Sequence, residues 1–192
     1  ILLKRNPALR DRLLIQSKCG IRFTDGLGPK RYDLSRDYIL RSVDGILSRL
    51  GIDHLDTLLL HRPDPLMDPD DIAEAWLTLK QSGKVSHLGV SNMHAGQIRL
   101  LQSRLPDPLV ANQLEMSLLQ HDWVEQGTCF NNDQAKSSRV WADTLEYCQT
   151  QQIQIQAWGS LAKGWYTGAA PQDASPAVHE TRQLVSDLAQ RH

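Results

Sequence analysis

At 192 residues, with 41% hydrophobic and 22% charged, the chain is long enough to bury a core as one domain and has an ordinary soluble composition. A formal net charge of -1 argues against nucleic acid or an anionic membrane surface as the main partner. No apolar run approaches the roughly 20 residues that cross a bilayer, nothing resembles a signal peptide, and Cys19, Cys129 and Cys148 lack disulfide or metal spacing, so a reduced, cytoplasmic setting is expected.

In chain order, residues 1–12 read as a helix end and a charged turn before a strand at 13–18. Cys19-Gly20 breaks that strand, and a long polar loop with Gly26, Gly28 and Pro29 leads to Ser35, an N-cap for a helix whose Ile39, Val43, Ile46, Leu47 and Leu50 share one face and which Gly51 stops. The run Leu58-Leu59-Leu60-His61-Arg62-Pro63-Asp64-Pro65 ends a strand at 55–61 that reads as buried on both faces. Asp68 caps the next helix, 69–82, with Pro69 at its first position, Ile72, Trp76 and Leu79 facing inward, and Gly83 at its end. A strand at 85–90 and a helix at 94–104 follow, then a strand at 109–114. The polar stretch from about Asp122 to Lys136 breaks the alternation and, coming after a strand end, could border a pocket. A helix at 138–150, a strand at 153–158 and a helix at 176–190 with Val178, Leu184, Val185 and Leu188 inward complete the chain.

Strands alternating with helices predict a parallel sheet, and in a (β/α) barrel the site is built at the carboxyl ends of the strands. Each of the five strands ends on a chemically useful side chain: Lys18, His61, Ser91-Asn92, Gln113 and Trp158. All but Gln113 also have a plain structural reading. Lys18 could snorkel to the barrel mouth, His61 could be a hydrogen-bonded structural histidine, Ser91 or Asn92 could cap the following helix, and Trp158 could be core. Taken together, a cation beside an imidazole, two amide side chains and an indole face describe a pocket for a nicotinamide ring. His87 and His94 are seven residues apart across a turn, and Asp68, Asp70 and Asp71 suit a helix N-terminus, so no metal site is expected.

In this order and spacing, the motifs Ile15-Gln16-Ser17-Lys18-Cys19-Gly20, Leu58 to Pro65, Ser82-Gly83-Lys84-Val85, Gly89-Val90-Ser91-Asn92, Asn112-Gln113-Leu114-Glu115 and Ala157-Trp158-Gly159-Ser160-Leu161 make the chain resemble the aldo-keto reductase family, particularly its bacterial oxidoreductases. The resemblance covers nearly the whole chain. It implies an α/β fold, the (β/α)8 TIM barrel, here incomplete with about five strand-helix units in one partial domain, 1–192. It also implies reduction of aldehydes and ketones with NADPH, NADP(H) being the cofactor and a small-molecule carbonyl compound the substrate.

Lys18 and His61 match the family's catalytic lysine and histidine. Ser91, Asn92 and Gln113 match its carboxamide contacts, Trp158 its stacking aromatic, and Gly159, Ser160 and Leu161 its pyrophosphate segment. Two departures accompany this match. The family's general-acid tyrosine and its aspartate partner belong upstream of the first strand, so the chain reads as an internal fragment, inactive by itself. Of Tyr32, Tyr38, Tyr147 and Tyr166, only Tyr32 lies in a loop at the correct face. Gly159 stands where the family usually has serine. Two other functions fit the same fold: a non-catalytic nucleotide-binding or regulatory barrel, and an aldolase forming a Schiff base on Lys18.

Overall fold

The structure is a computed structural model that describes residues 2–128 and 143–191. Its strands are β1 (Gln16–Cys19), β2 (Ile21–Arg22), β3 (Arg31–Tyr32), β4 (Leu55–Leu60), β5 (Val85–Ser91), β6 (Ala111–Glu115) and β7 (Gln154–Trp158). The helices are α1 (Leu2–Arg5), α2 (Arg36–Leu50), α3 (Pro69–Gln81), α4 (Ala95–Gln102), α5 (Asp122–Gln126), α6 (Thr144–Thr150) and α7 (Pro176–Arg191), with 3-10 turns at Pro7–Arg12 and Ala162–Thr167. Five strands lie side by side in the order β1-β4-β5-β6-β7. The pairs β1–β4, β4–β5 and β5–β6 are parallel, as a strand-helix-strand repeat requires.

The chain divides into two compact units, Ile1–Gln113 with Asp143–Gln156, and Leu114–Ala142 with Ala157–His192. In the first, side chains alternate across the sheet with the period of two that strands impose. Cys19, Leu58, Leu60, Leu88 and Val90 pack in one cluster with Ile39, Val43 and Ile46 of α2, Ile72 and Trp76 of α3, and Ile98 and Leu101 of α4. Leu59 is also fully buried, but on the opposite face. A Cβ on Gly89 would lie 2.6 Å from Leu59 Cδ2 and 2.9 Å from the Ala111 carbonyl, so only glycine lets β4, β5 and β6 close over that face.

The helix boundaries follow local chemistry. Asp68 accepts the Asp70 N–H at 2.9 Å with Pro69 at the first position of α3. Gly51, at φ 69°, ends α2 in the left-handed conformation. Ser35 occupies the N-cap position, but its hydroxyl donates to Asp33 Oδ1 at 2.6 Å and does not cap the helix.

Four expectations need correction. The strand expected at 13–18 begins at Gln16, because the turn ending at Arg12 binds the Leu13 N–H back to the Arg10 carbonyl and leaves Leu14 91% exposed. The polar loop before Ser35 contains a hairpin, β2 against β3, held by Arg22 on Asp25 (2.6 Å) and Asp33 (3.1 Å) and by Arg31 on Asp25 (3.3 Å). In the polar stretch after β6, Asp122–Gln126 forms the short helix α5, and the remainder from residue 129 onward falls outside the described residues. In α7, Val178 is buried and Val185 packs on the second unit's small cluster with Tyr166, whereas Leu184 and Leu188 are exposed, since at about 100° per residue they sit roughly a quarter-turn from the Val178–Val185 line. The part of the helix expected at 138–150 that is described is α6; its first residues, 138–142, fall outside the described residues.

Candidate active site

Five of the predicted residues meet at the carboxyl ends of β1, β4, β5 and β6. The His61 N–H continues the β1–β4 ladder by donating to the Cys19 carbonyl at 2.8 Å. Asn92, at φ 60°, takes the left-handed turn that asparagine tolerates better than other side chains, and its N–H donates to the Gln113 carbonyl at 2.9 Å. Buried Ser91 donates its hydroxyl to the same carbonyl at 2.9 Å. Asn92 Nδ2 in turn donates to Ser91 Oγ (2.8 Å) and to the His61 carbonyl (3.3 Å), tying the ends of three strands together.

Capping does not account for this pair. The N-cap of α4 is His94, whose ring accepts the Gly96 N–H at 3.1 Å, while Gln97 Oε1 accepts the His94 N–H at 3.2 Å. Ser91 turns its hydroxyl toward β6, and Asn92 turns its side chain toward Ser91 and the end of β4.

Lys18, half-buried on β1, donates from Nζ to Gln113 Oε1. Burial, with Arg62 adding like charge, draws its pKa below the ordinary lysine value. His61 is half-buried as well, and burial together with Lys18, Arg62 and Lys30 holds its pKa below the usual 6.5. At neutral pH it is therefore an uncharged imidazole carrying one N–H. Cys19 on β1 faces away from this cluster; its burial pushes the thiol up to about 12, which makes it inert.

Trp158 to Leu161 belong to the second unit. Trp158 ends β7, and its carbonyl accepts the Met116 N–H at 3.2 Å. Gly159 has φ 67°, a conformation a serine would hold under strain. Its carbonyl accepts the Ala162 N–H at 2.8 Å and opens the 3-10 turn, with Ser160 and Leu161 exposed.

Two of the four tyrosines spend their hydroxyls on backbone carbonyls. Tyr38 donates to the Ile21 carbonyl (3.0 Å), Tyr166 to the Leu118 carbonyl (3.2 Å), and Tyr147 carries Arg99 4.3 Å above its ring. Tyr32 is on β3, 45% exposed.

Sequence reasoning missed Arg62 and the glutamines at 16, 154 and 156. Arg62 follows His61 directly, and its charge acts on both Lys18 and His61. The glutamines stand at two-residue spacing from Lys18 and Trp158, the signal that they share a sheet face with them.

The model of the Aldo/keto reductase family matches residues 1–191. The chain belongs to the aldo/keto reductase family. Among similar members, Oxidoreductase YdhF of Escherichia coli K12 is 48% identical over 166 residues, 84% of this chain and 50% of that protein. A 6-dehydroglucose reductase of Agrobacterium fabrum is 40% identical over 86% of this chain and 54% of its own length. The chain thus spans about half the length of these relatives. Among solved structures, the holo form of aldo-keto reductase AKR11C1 from Bacillus halodurans superposes with a TM-score of 0.68 at 22% identity, over 90% of this chain and 50% of that one. The glycerol dehydrogenase AKR11B4 of Gluconobacter oxydans gives 0.65 at 23% identity, over 88% and 48%. The fold is that of the family's barrel, five parallel strands alternating with helices over half of it.

Proposed function

We propose that the protein to which these residues belong is an NADPH-dependent oxidoreductase that reduces an aldehyde or ketone of a small molecule to the alcohol. The observation that carries this reading is the join of Lys18 to Gln113, and of Gln113 through its carbonyl to Ser91 and Asn92, beside an uncharged His61. The names of its relatives, oxidoreductase and reductase, support the reaction class.

The donor set suits a carboxamide. Ser91, Asn92 and Gln113 carry a hydroxyl and two amides, the kind of group a primary amide pairs with. The Ser91 O–H and both Asn92 Nδ2 N–H groups are given within the protein, so the donor to the carboxamide oxygen would be the second N–H of Gln113. A carboxylate or phosphate would be better served by arginine or by backbone N–H groups. Ser91, Asn92 and Gln113 would hold the nicotinamide carboxamide, Trp158 would stack on the ring, and Gly159, Ser160 and Leu161 would contact the pyrophosphate. Reduced nicotinamide, when bound, supplies the hydride.

This chain's own residues handle the oxygen. His61, kept neutral, gives its N–H to the carbonyl oxygen and favours the negative charge that grows there. The Lys18 ammonium sits beside it and lowers the pKa of the family's tyrosine, the general acid expected upstream of β1, toward the working pH.

Replacing Lys18 with Met in the complete natural chain separates this role from binding. Turnover should fall by about 10²- to 10⁴-fold, the usual contribution of a positioned acid-base group, while NADPH affinity, followed by nucleotide fluorescence, should change by less than about threefold. Wild-type turnover in Lys18→Met would sink the assignment, and NADPH binding without carbonyl reduction by the unmodified chain would favour a regulatory barrel.

A further inference from the structure

Gln156 is outside every motif that marks the family, yet its side-chain amide is filled on all sides. Its Oε1 accepts from Gln16 Nε2 at 2.8 Å and from Gln113 Nε2 at 3.1 Å. Its Nε2 donates to Gln16 Oε1 at 3.2 Å and to Gln154 Oε1 at 3.0 Å. A primary amide has two N–H groups and two acceptor positions, so nothing is left over.

The consequence falls on Gln113. With both N–H groups of Gln156 occupied by Gln16 and Gln154, Gln156 can only accept from Gln113. Gln113 therefore presents its Nε2 to that side and turns its Oε1 the other way, where Lys18 Nζ donates to it. An ammonium can only donate. The opposite rotamer of Gln113 would set N–H against N–H at Lys18 and oxygen against oxygen at Gln156, and both contacts would be repulsive.

We infer that Gln156 is a positioning residue: backed by Gln16 and Gln154, it fixes the amide of Gln113 with its oxygen toward the strand ends, where that oxygen serves Lys18 and the nicotinamide carboxamide. The carboxamide half rests on the reductase reading; the Lys18 half concerns the ligand-free protein and stands without it. One oxygen has two lone pairs, so both donors can be accepted at once.

The test uses the complete natural chain without ligand, its lysines dimethylated with ¹³C-formaldehyde, and the Lys18 resonance assigned by its loss in Lys18→Arg and titrated by NMR. NADPH affinity is measured in parallel on unmodified protein. Gln156→Met removes all four hydrogen bonds at similar volume. The Lys18 pKa should then drop by about half a unit or more, because an ammonium loses its oriented acceptor, and NADPH should bind about fivefold or more weaker, the loss of roughly one kcal/mol of orientation. Gln156→Glu keeps the acceptor for Gln113 and adds an opposite charge, so the Lys18 pKa should hold or rise.

A glutamine that merely supports the sheet would lower stability in both variants and leave the Lys18 titration where it was, and that result overturns the inference. Should Gln156→Met not fold, Gln16→Met at an exposed position frees one N–H of Gln156 and should lower the Lys18 pKa by a smaller amount; no shift there overturns it as well. If the reductase reading fails, the unmodified chain will not bind NADPH, while the Lys18 shifts in the variants remain.

Discussion

His61 shows how one position can be set by charge as well as by burial. Three cations, Lys18, Arg62 and Lys30, reinforce the effect of burial on its imidazole, so protonation is harder in the folded chain than in the unfolded one, where the ordinary value is 6.5. The direction of the stability effect follows. Above pH 6.5 the ring is neutral in both states and its contribution is complete; as pH falls toward the depressed folded value the unfolded chain takes up the proton first, and stability is lost. The urea midpoint should therefore drop between pH 7 and pH 5, and His61→Gln, which cannot titrate, should show a visibly smaller drop over the same interval. Equal slopes in the two proteins would mean that His61 titrates normally. Of the residues responsible, Lys18 and His61 could be picked out in the sequence because each follows an apolar run, Leu13-Leu14-Ile15 or Leu58-Leu59-Leu60. Arg62 could not, since nothing in a run of Leu-Leu-Leu-His-Arg-Pro indicates which way the arginine turns.

At the scale of elements, Gly89 decides whether β4, β5 and β6 can share their second face. The missing Cβ would meet the Leu59 side chain at 2.6 Å and, harder to move, the Ala111 backbone oxygen at 2.9 Å. Gly89→Ala should destabilise the chain by about 1 to 3 kcal/mol, the usual range for overpacking a filled core, read as a lower urea midpoint with an unchanged slope. A midpoint equal to wild type would show that β6 can shift to make room. The same strands explain what could be read in advance. Long apolar runs stopped by Gly51, Gly83 or the His61-Arg62-Pro63 turn locate β4, α2 and α3 to within a residue or so, because burial and left-handed stops leave marks in the sequence. The hairpin β2–β3 left no such mark. Its strands are two residues each and its hold is ionic, Arg22 and Arg31 on Asp25 and Asp33, and short polar segments carry no periodicity. Leu14, Leu184 and Leu188 misled in the other direction: apolar residues near an element need not face its core.

For the molecule as a whole, the order of strands mattered more than any one side chain, since Lys18 reaches Gln113 across 95 residues of sequence and Gln16 reaches Gln156 across 140. Only a sheet that brings its first and last strands toward one another can make the second contact, and no local pattern announces it. That curvature bears on how a polypeptide of these residues alone should behave. Among the described strands, β1 and β7 stand at the two ends of the sheet, each with one neighbour. A parallel barrel of this family closes with eight strands, and a strand with free N–H and C=O groups along one edge is a template for pairing with another chain. The amide pair between Gln16 and Gln156 joins side chains across the concave face and satisfies none of those backbone groups. We therefore expect the isolated 192-residue polypeptide to associate at micromolar to millimolar concentrations, the range in which exposed edges and apolar surface drive aggregation. Light scattering behind size exclusion should then give a mass that rises with concentration above 21.7 kDa. A longer natural chain that supplies partners for both edges should instead hold one mass across the same range. If the isolated polypeptide stayed at 21.7 kDa throughout, its edges would have to be covered by its own residues, and a five-stranded half-barrel would be a stable fold in its own right.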